Sequence, residues 1–499
     1  MEANGSPADT APEASRAHYA EESVEALGRG EDDISEEEVL RPLTAVDRQY
    51  AVQSGVPERI HIVGTGSIGK LVAHSLRGAA NPPPVTLIFH RYGLVKAWER
   101  SRKEITIQDD EYKVPRGGFD VELLPTVVRQ HGVEVEDGQA GVYDAQDETK
   151  PHEVAEVLTE NIKRTPSELR KRRQAIQDEE KSGATRRNQQ YDNAISQEPI
   201  HNLIVTTKAA HTIPALNALK NRLSSSTTIC FLQNGMGIVD DVNKNLFPDE
   251  TNRPNYIQGI ITHGVNVPPE VAARDPFFAV HAGYGTIALG ILPRAGVRQT
   301  FVPDAAKDTN KPRSEKWAPS ARYLLRTLTR IPVLCAVGFA PLELLQQQLE
   351  KLAVNSVLNP LTSLLDDRNG SLLYNFALTR TMRLLLAETS LVIRSLPELH
   401  GVPNVDSRFS AERLERLCVS IAHKTQDNIS SMLADVRAGR RTEIEYINGY
   451  IVRRGEELGV KCVVNYAIMQ TVIGKCLIAQ HEKQEAVPLE GRRRLNTED

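Results

Sequence analysis

Long apolar runs are missing from this chain. No stretch approaches the roughly 18 residues that a bilayer-spanning helix needs, so no membrane partner is expected. Clustered cysteine is missing as well. Cys230, Cys335, Cys418, Cys462 and Cys476 are scattered, with no CxxC pair. That spacing argues against a disulfide framework and a zinc-type ligand set, and it predicts reduced thiols and no metal site. Excess positive charge is absent too. The 60 Lys and Arg residues are outnumbered by 65 Asp and Glu, for a formal net charge of −5, so there is no global basic footprint for nucleic acid. The first forty residues lack the apolar core of a secretory signal and are too acidic for a transit peptide. A cytoplasmic setting is therefore expected ahead of a mitochondrial one.

What remains is a globular composition: 499 residues, 40% hydrophobic and 25% charged, a length for two or three domains. Residues 1–55 read as a disordered acidic extension. Order is expected from "PERIHIVGTGSIGKLVAHSL", where a short apolar strand turns into a helix. "PVTLIFHR", "NLIVTTK", "TTICFLQNGMG", "NYIQGIITHGVNV" and "GTIALGIL" read as further strands. A charged stretch from about 135 to 198 has little to bury and reads as an insertion. The segment 294–318 reads as a polar loop. A helix over "SARYLLRTLTRI" should lead to a strand "PVLCAV". From Pro341 to about 482 the pattern is helical, followed by a polar tail over 483–499. Strands alternating with helices, then helices alone, predict an α/β nucleotide-binding domain over 56–338 and an all-α domain over 339–482.

The segment "IVGTGSIG" places Gly64, Thr65, Gly66, Ser67, Ile68 and Gly69 at a strand-to-helix junction. Gly64 would permit the turn, Gly66 the approach of a pyrophosphate, and Gly69 close packing of helix on strand. A plain glycine-rich turn would look the same in isolation; the flanking strand and helix favour a dinucleotide. An NAD site wants a carboxylate at the end of the second strand. Here that strand ends "IFHRYG", with Arg91 and no acid. A guanidinium suits a 2′-phosphate, so NADPH is the expected cofactor.

In "KLAVNSVLNPLTSLL", Lys351, Asn355 and Asn359 recur every four residues within an apolar run, which puts them on one face of a helix. Lys351 could serve as a proton donor, or it could simply extend to solvent along the helix edge. Pro360 should kink the helix just after Asn359. Lys208 and Asn234 each follow an apolar strand, at the edge where an open α/β sheet binds ligand. His263 is a weaker candidate acid.

Several motifs coincide in one order: "VTTKAAHTIPAL", "FLQNGMG", "THGV", "KLAVNSVLNPLT", "RNGSLL" and "SSMLADVRAGRRTEIEYINGY". Together they resemble the ketopantoate reductases (2-dehydropantoate 2-reductases), over roughly residues 58–482 apart from the two polar insertions. The resemblance implies a Rossmann domain and a helical domain with the active site in the cleft between them. It implies NADPH-dependent reduction of 2-dehydropantoate to (R)-pantoate, on the way to pantothenate and coenzyme A. Lys351 would be the general acid. Asn355, Asn359, Asn369, Ser431 and Asn234 would bind substrate, and Lys208, Asn234 and Glu443 would face the cofactor. Ser431 and Glu443 are twelve residues apart and cannot share a face of one straight helix. Gly439 should break the helix between them, and Thr442 should cap the next. The runner-up is a catalytically silent descendant that binds nucleotide and serves as an interaction protein. A reductase of another branched 2-keto acid is a further alternative, and a homodimer stays open.

Overall fold

The run "IHIV" forms strand β1 (Ile60–Val63), with all four side chains buried. β-Branched residues favour a strand that is covered on both faces. In this computed structural model, which describes residues 55–124, 127–130, 133–136, 196–272, 274–293 and 317–485, β1 lies inside an eight-stranded sheet. On one side it pairs in parallel with β2 (Val85–Phe89), and β2 pairs in parallel with β5 (Phe119–Leu123). On the other side follow β8 (Asn202–Val205), β9 (Thr228–Phe231) and β10 (Asn255–Ile261), also parallel. β13 (Ile287–Ile291) runs antiparallel to β10, and β14 (Ala336–Gly338) closes that edge. The chain builds outward from β1 in one direction, then from β8 in the other. The crevice at that reversal is where a doubly wound sheet binds ligand.

Helix α1 (Ser67–Arg77) follows β1, α2 (Tyr92–Arg100) follows β2, α3 (Thr212–Ala218) follows β8 and α4 (Ile238–Asn245) follows β9. The expected helix over "SARYLLRTLTRI" is α5 (Pro319–Thr329). The expected strand "PVLCAV" is shorter than read. Pro332–Leu334 form a 3-10 turn, since Pro332 has no N–H for a ladder, and only Ala336–Gly338 pair.

A second sheet is absent from the sequence reading. Its strands are β3 (Glu104–Asp109), β4 (Tyr112–Gly117), β11 (Gly264–Asn266) and β12 (Phe278–Gly283), in the order β11-β12-β3-β4. The 4-residue strands β6 (Val127–Gln130) and β7 (Val133–Glu136) form a separate antiparallel pair. β4 is largely exposed and carries Pro115, so its propensity is poor. Docking on α1 compensates. His74 Nε2 lies 2.8 Å from the Val114 carbonyl, Arg116 donates to the His74 carbonyl at 2.9 Å, and Lys70 donates to the Phe278 carbonyl at 3.0 Å.

The helical half begins at α6 (Pro341–Leu365), whose C-terminal two-thirds is mostly buried. Around it pack α7 (Phe376–Arg394), α8 (Ala411–Lys424), α9 (Ser431–Arg437) and α11 (Val463–Glu485), and α10 (Asn448–Glu457) lies on α11. The expected kink at Pro360 does not interrupt α6, which runs on to Leu365. Proline has no N–H, so it frees the carbonyl four residues earlier. That carbonyl belongs to Ser356, and Asn448 Nδ2 donates to it at 2.9 Å. The same amide also donates to Asn465 Oδ1 at 3.0 Å, in a fully buried setting.

Most of the acidic extension, of the charged insertion, of the polar loop and of the tail lies outside the described residues. The flanks of the insertion are tied together within the described part. Arg222 reaches Glu122 at 2.8 Å on one flank and donates to the Glu198 carbonyl at 2.7 Å on the other.

Asn448→Ala should destabilise the fold by at least about 2 kcal/mol, because each buried acceptor left without a donor costs about 1–3 kcal/mol. Urea denaturation followed by circular dichroism measures it, and an unchanged midpoint would refute the role given to Asn448.

Candidate functional site

The three loop glycines differ in what surrounds them. Gly64 has φ +98, and a Cβ there would lie 2.5 Å from the Thr207 amide nitrogen. A Cβ on Gly69 would lie 2.0 Å from the Gly64 carbonyl, so α1 packs directly on its own loop. A Cβ on Gly66 would meet nothing within 4 Å. The middle glycine therefore faces open space at the start of α1, where no side chain caps the helix and no acid occupies its first turn. Thr65, Ser67 and Ile68 complete the turn. Backbone N–H groups and the helix dipole converge there, which fits a pyrophosphate. At the end of β2, Arg91 sits exposed at the start of α2.

The second part of the site lies where α6 meets the ends of β9 and β10. Lys351, half-buried, donates to Asn234 Oδ1 at 3.0 Å and to the Ile261 carbonyl at 2.6 Å. An ammonium has three N–H donors, so one remains. Asn234 Nδ2 in turn donates to Glu443 Oε2 at 3.2 Å, and Glu443 Oε1 accepts from the Ala209 N–H at 3.3 Å. Lys208 sits 2.6 Å from Asp435 and 3.9 Å from Glu443. Arg440 approaches Asp435 from the other side at 3.0 Å. Burial pulls the Lys351 ammonium down to about 8, and the Glu443 charge opposes that shift. Burial pushes the Glu443 carboxyl up, against Lys208 and its two hydrogen bonds.

Lys351, Asn355 and Asn234 line one cavity with Gln233, Gln348 and Gly259. It measures about 20 Å³, room for a water molecule. A larger open groove of about 610 Å³ on the outer face of α8 is lined by that helix alone, so it is a helix surface rather than a cleft.

Asn359, Asn369 and Ser431 do not line this cavity. Asn359 is buried two turns beyond Lys351. Asn369 starts a 3-10 turn, and its amide donates to Thr425 Oγ1 at 2.9 Å. Ser431 is exposed at the first position of α9, whose cap is its neighbour Ser430. Gly439 does follow the end of α9, with φ +62. Thr442 does not cap a helix. Only a 3-10 turn, Ile444–Tyr446, follows, and Glu443 turns inward to the sheet half instead. His263 has both ring nitrogens engaged, with His281 at 3.0 Å and the Leu334 carbonyl at 3.0 Å, and it does not line the cavity beside Lys351. Asp435 was missed by the sequence reading. Its signal is an acid inside the apolar run "SSMLADV".

Two family profiles match the chain. "Ketopantoate reductase PanE/ApbA" covers residues 60–120 and 152–294, and "Ketopantoate reductase PanE/ApbA C terminal" covers 343–475. A probable 2-dehydropantoate 2-reductase of Schizosaccharomyces pombe is 32% identical over 54% of this chain and 73% of its own length. A ketoisovalerate reductase of Beauveria bassiana is 24% identical over 88% of this chain and 87% of its own. Among solved structures, a probable 2-dehydropantoate 2-reductase of Bacillus subtilis superposes with TM-score 0.50 at 20% identity, covering 84% of this chain and 99% of that one. At that identity the likeness is one of fold.

Gly69→Ala should lower dinucleotide affinity at least about tenfold, some 1.4 kcal/mol, because the new methyl drives α1 off the Gly64 carbonyl. Titration of protein fluorescence measures this. Unaltered binding would show that the loop does not hold the pyrophosphate.

Proposed function

The chain belongs to the ketopantoate reductase family, and we propose that it reduces a branched 2-keto acid with NADPH, 2-dehydropantoate to (R)-pantoate in the first instance. The observation that carries this reading is the placement of Lys351. Its ammonium is oriented by Asn234 and the Ile261 carbonyl, with one donor left over, at the carboxyl ends of β9 and β10, the edge of the parallel sheet that also carries the glycine loop after β1. The glycine loop and the uncapped start of α1 would bind the pyrophosphate, and Arg91 the 2′-phosphate. When bound, the reduced nicotinamide supplies hydride to the keto carbon.

The residues of this chain would handle the oxygen. As negative charge grows on the keto oxygen, the third N–H of Lys351 hydrogen-bonds it and then transfers its proton. Fixed acceptors on the other two N–H groups aim that donor without reorganisation. Asn355, one turn along α6, would orient the carboxylate or a hydroxyl. Glu443 acts at one remove, holding Asn234 by its amide. The cavity between the sheet and helical halves holds about a water molecule, so it would have to widen to take a 2-keto acid.

A second reading, reduction of ketoisovalerate, is favoured by one observation. The Beauveria bassiana ketoisovalerate reductase matches over 88% of this chain, whereas the Schizosaccharomyces pombe relative matches over 54%. The two substrates differ by a hydroxymethyl group on the branch carbon, present in 2-dehydropantoate and absent from ketoisovalerate. A site built to hydrogen-bond a hydroxyl rejects the analogue lacking it by about 10⁴–10⁵. The ratio of kcat/KM for 2-dehydropantoate and ketoisovalerate therefore separates the readings. A ratio well above unity is expected, and a ratio below unity would transfer the assignment to ketoisovalerate.

Lys351→Ala should lower the single-turnover rate by about 10²–10⁴-fold, the usual worth of a general acid. NADPH affinity should stay within about threefold, some 0.6 kcal/mol, because the phosphate loop is in the other half. In the wild type the donor is protonated below pH 8 and lost above it, since burial has brought its pKa down to about 8. The rate should be level below that pH and fall above it. A fall only above pH 10, or near-normal turnover by Lys351→Ala, would overturn the assignment.

A further inference from the structure

Arginine and histidine side chains from three separate segments gather at the edge of the cleft away from Lys351. Arg91 stands at the end of β2, exposed, and His90 precedes it. His211 lies in the turn after β8, also exposed, at the start of α3. β2 and β8 are the two neighbours of β1, so both turns flank the glycine loop at the same edge of the sheet. Arg441 comes from the helical half. It is carried there by Glu443, two residues on, whose carboxylate accepts from the Ala209 N–H at 3.3 Å, two residues before His211. The Arg441 side chain is 56% exposed and engages Glu445, with Nε 3.1 Å from Oε2. Glu445 takes only two of its five N–H donors.

These groups sense one another. After burial, the charges of Arg441 and Arg91 are what hold His211 below the usual histidine range, and Arg91 and His211 do the same to His90. Bringing like charges together costs energy. A doubly charged anion between them would attract each guanidinium and favour the protonated form of the histidines. The pyrophosphate is already provided for by the open face of Gly66 and the start of α1. The anion that fits is therefore a phosphate monoester, which guanidinium groups bind in forked geometry.

We infer that Arg441 and His211 join Arg91 in a clamp for the 2′-phosphate of the cofactor's adenosine ribose, with the Arg441 arm supplied by the helical half. The inference rests on the NADPH reading above and adds to it. Discrimination between NADPH and NADH is then made from both halves of the molecule. The phosphate also bridges them, so its binding favours the closed cleft.

The test is calorimetric titration of the full chain with adenosine 2′,5′-bisphosphate and with adenosine 5′-monophosphate, which isolate the 2′-phosphate from the nicotinamide. NADPH and NADH are run in parallel. Arg441→Gln should weaken the bisphosphate and NADPH about tenfold to a hundredfold, the worth of one charged hydrogen bond. The monophosphate and NADH should change less than about twofold. His211→Gln should act in the same direction and less strongly, and Arg441→Lys should restore part of the loss. If Arg441→Gln binds the bisphosphate like the wild type while Arg91→Gln does not, the clamp is wrong and the NADPH reading stands. If the wild type does not prefer the bisphosphate to the monophosphate, both are wrong.

Discussion

The ammonium of Lys351 leaves the helical half and ends on acceptors that belong to the sheet half, Asn234 Oδ1 and the Ile261 carbonyl. A desolvated charge requires such partners. Supplying them fixes where α6 must lie against the ends of β9 and β10. Asn234 then orients Glu443, and Glu443 reaches Ala209 beyond the end of β8. One polar chain thus touches three successive strand ends and two segments of the helical half. The seam beside it is equally tight. The Met236 N–H donates to the Tyr446 carbonyl at 2.8 Å, and a Cβ on Gly235 would lie 2.5 Å from that oxygen.

Helix α6 can carry this lysine because the rest of it is so well covered. Leu349, Leu352, Ala353, Val354, Val357 and Leu358 are all buried, so the helix is wrapped by its neighbours rather than lying on a surface. Wrapping imposes a cost at Pro360, where a carbonyl loses its helical donor inside the core. Asn448 removes that cost with a side-chain amide from α10. The residue that looks like a helix breaker is tolerated because of a partner nearly ninety residues away.

The phosphate loop has a comparable support. α1 packs between the large sheet and the small one, and its polar side chains Lys70 and His74, both buried, meet backbone carbonyls of β12 and β4. The small sheet, whose strand β4 is largely exposed, still pins the loop helix from behind. The glycines can then be chosen for the ligand's approach, because rigidity is supplied elsewhere.

By itself the sequence determined the local elements whose residues carry their own signal. These are the covered strands "IHIV" and "VTLIF", the glycine turn, the four-residue spacing of Lys351, Asn355 and Asn359, and the change from strands to helices near Pro341. Each rests on short-range chemistry: β-branched packing, φ freedom or helical period. The small sheet was not legible, since "YKVPRG" makes a strand only when α1 supplies partners for its carbonyls. Nor was the capping role expected of Thr442 realised, because Glu443 gains more from Ala209 and Asn234 than from starting a helix. The pairing of Lys208 with Asp435, and the aim of Lys351, depend on side chains more than a hundred positions apart. Only tertiary structure could decide those contacts. Their energy comes from desolvating charges together, and no pattern along the chain records which charges will meet.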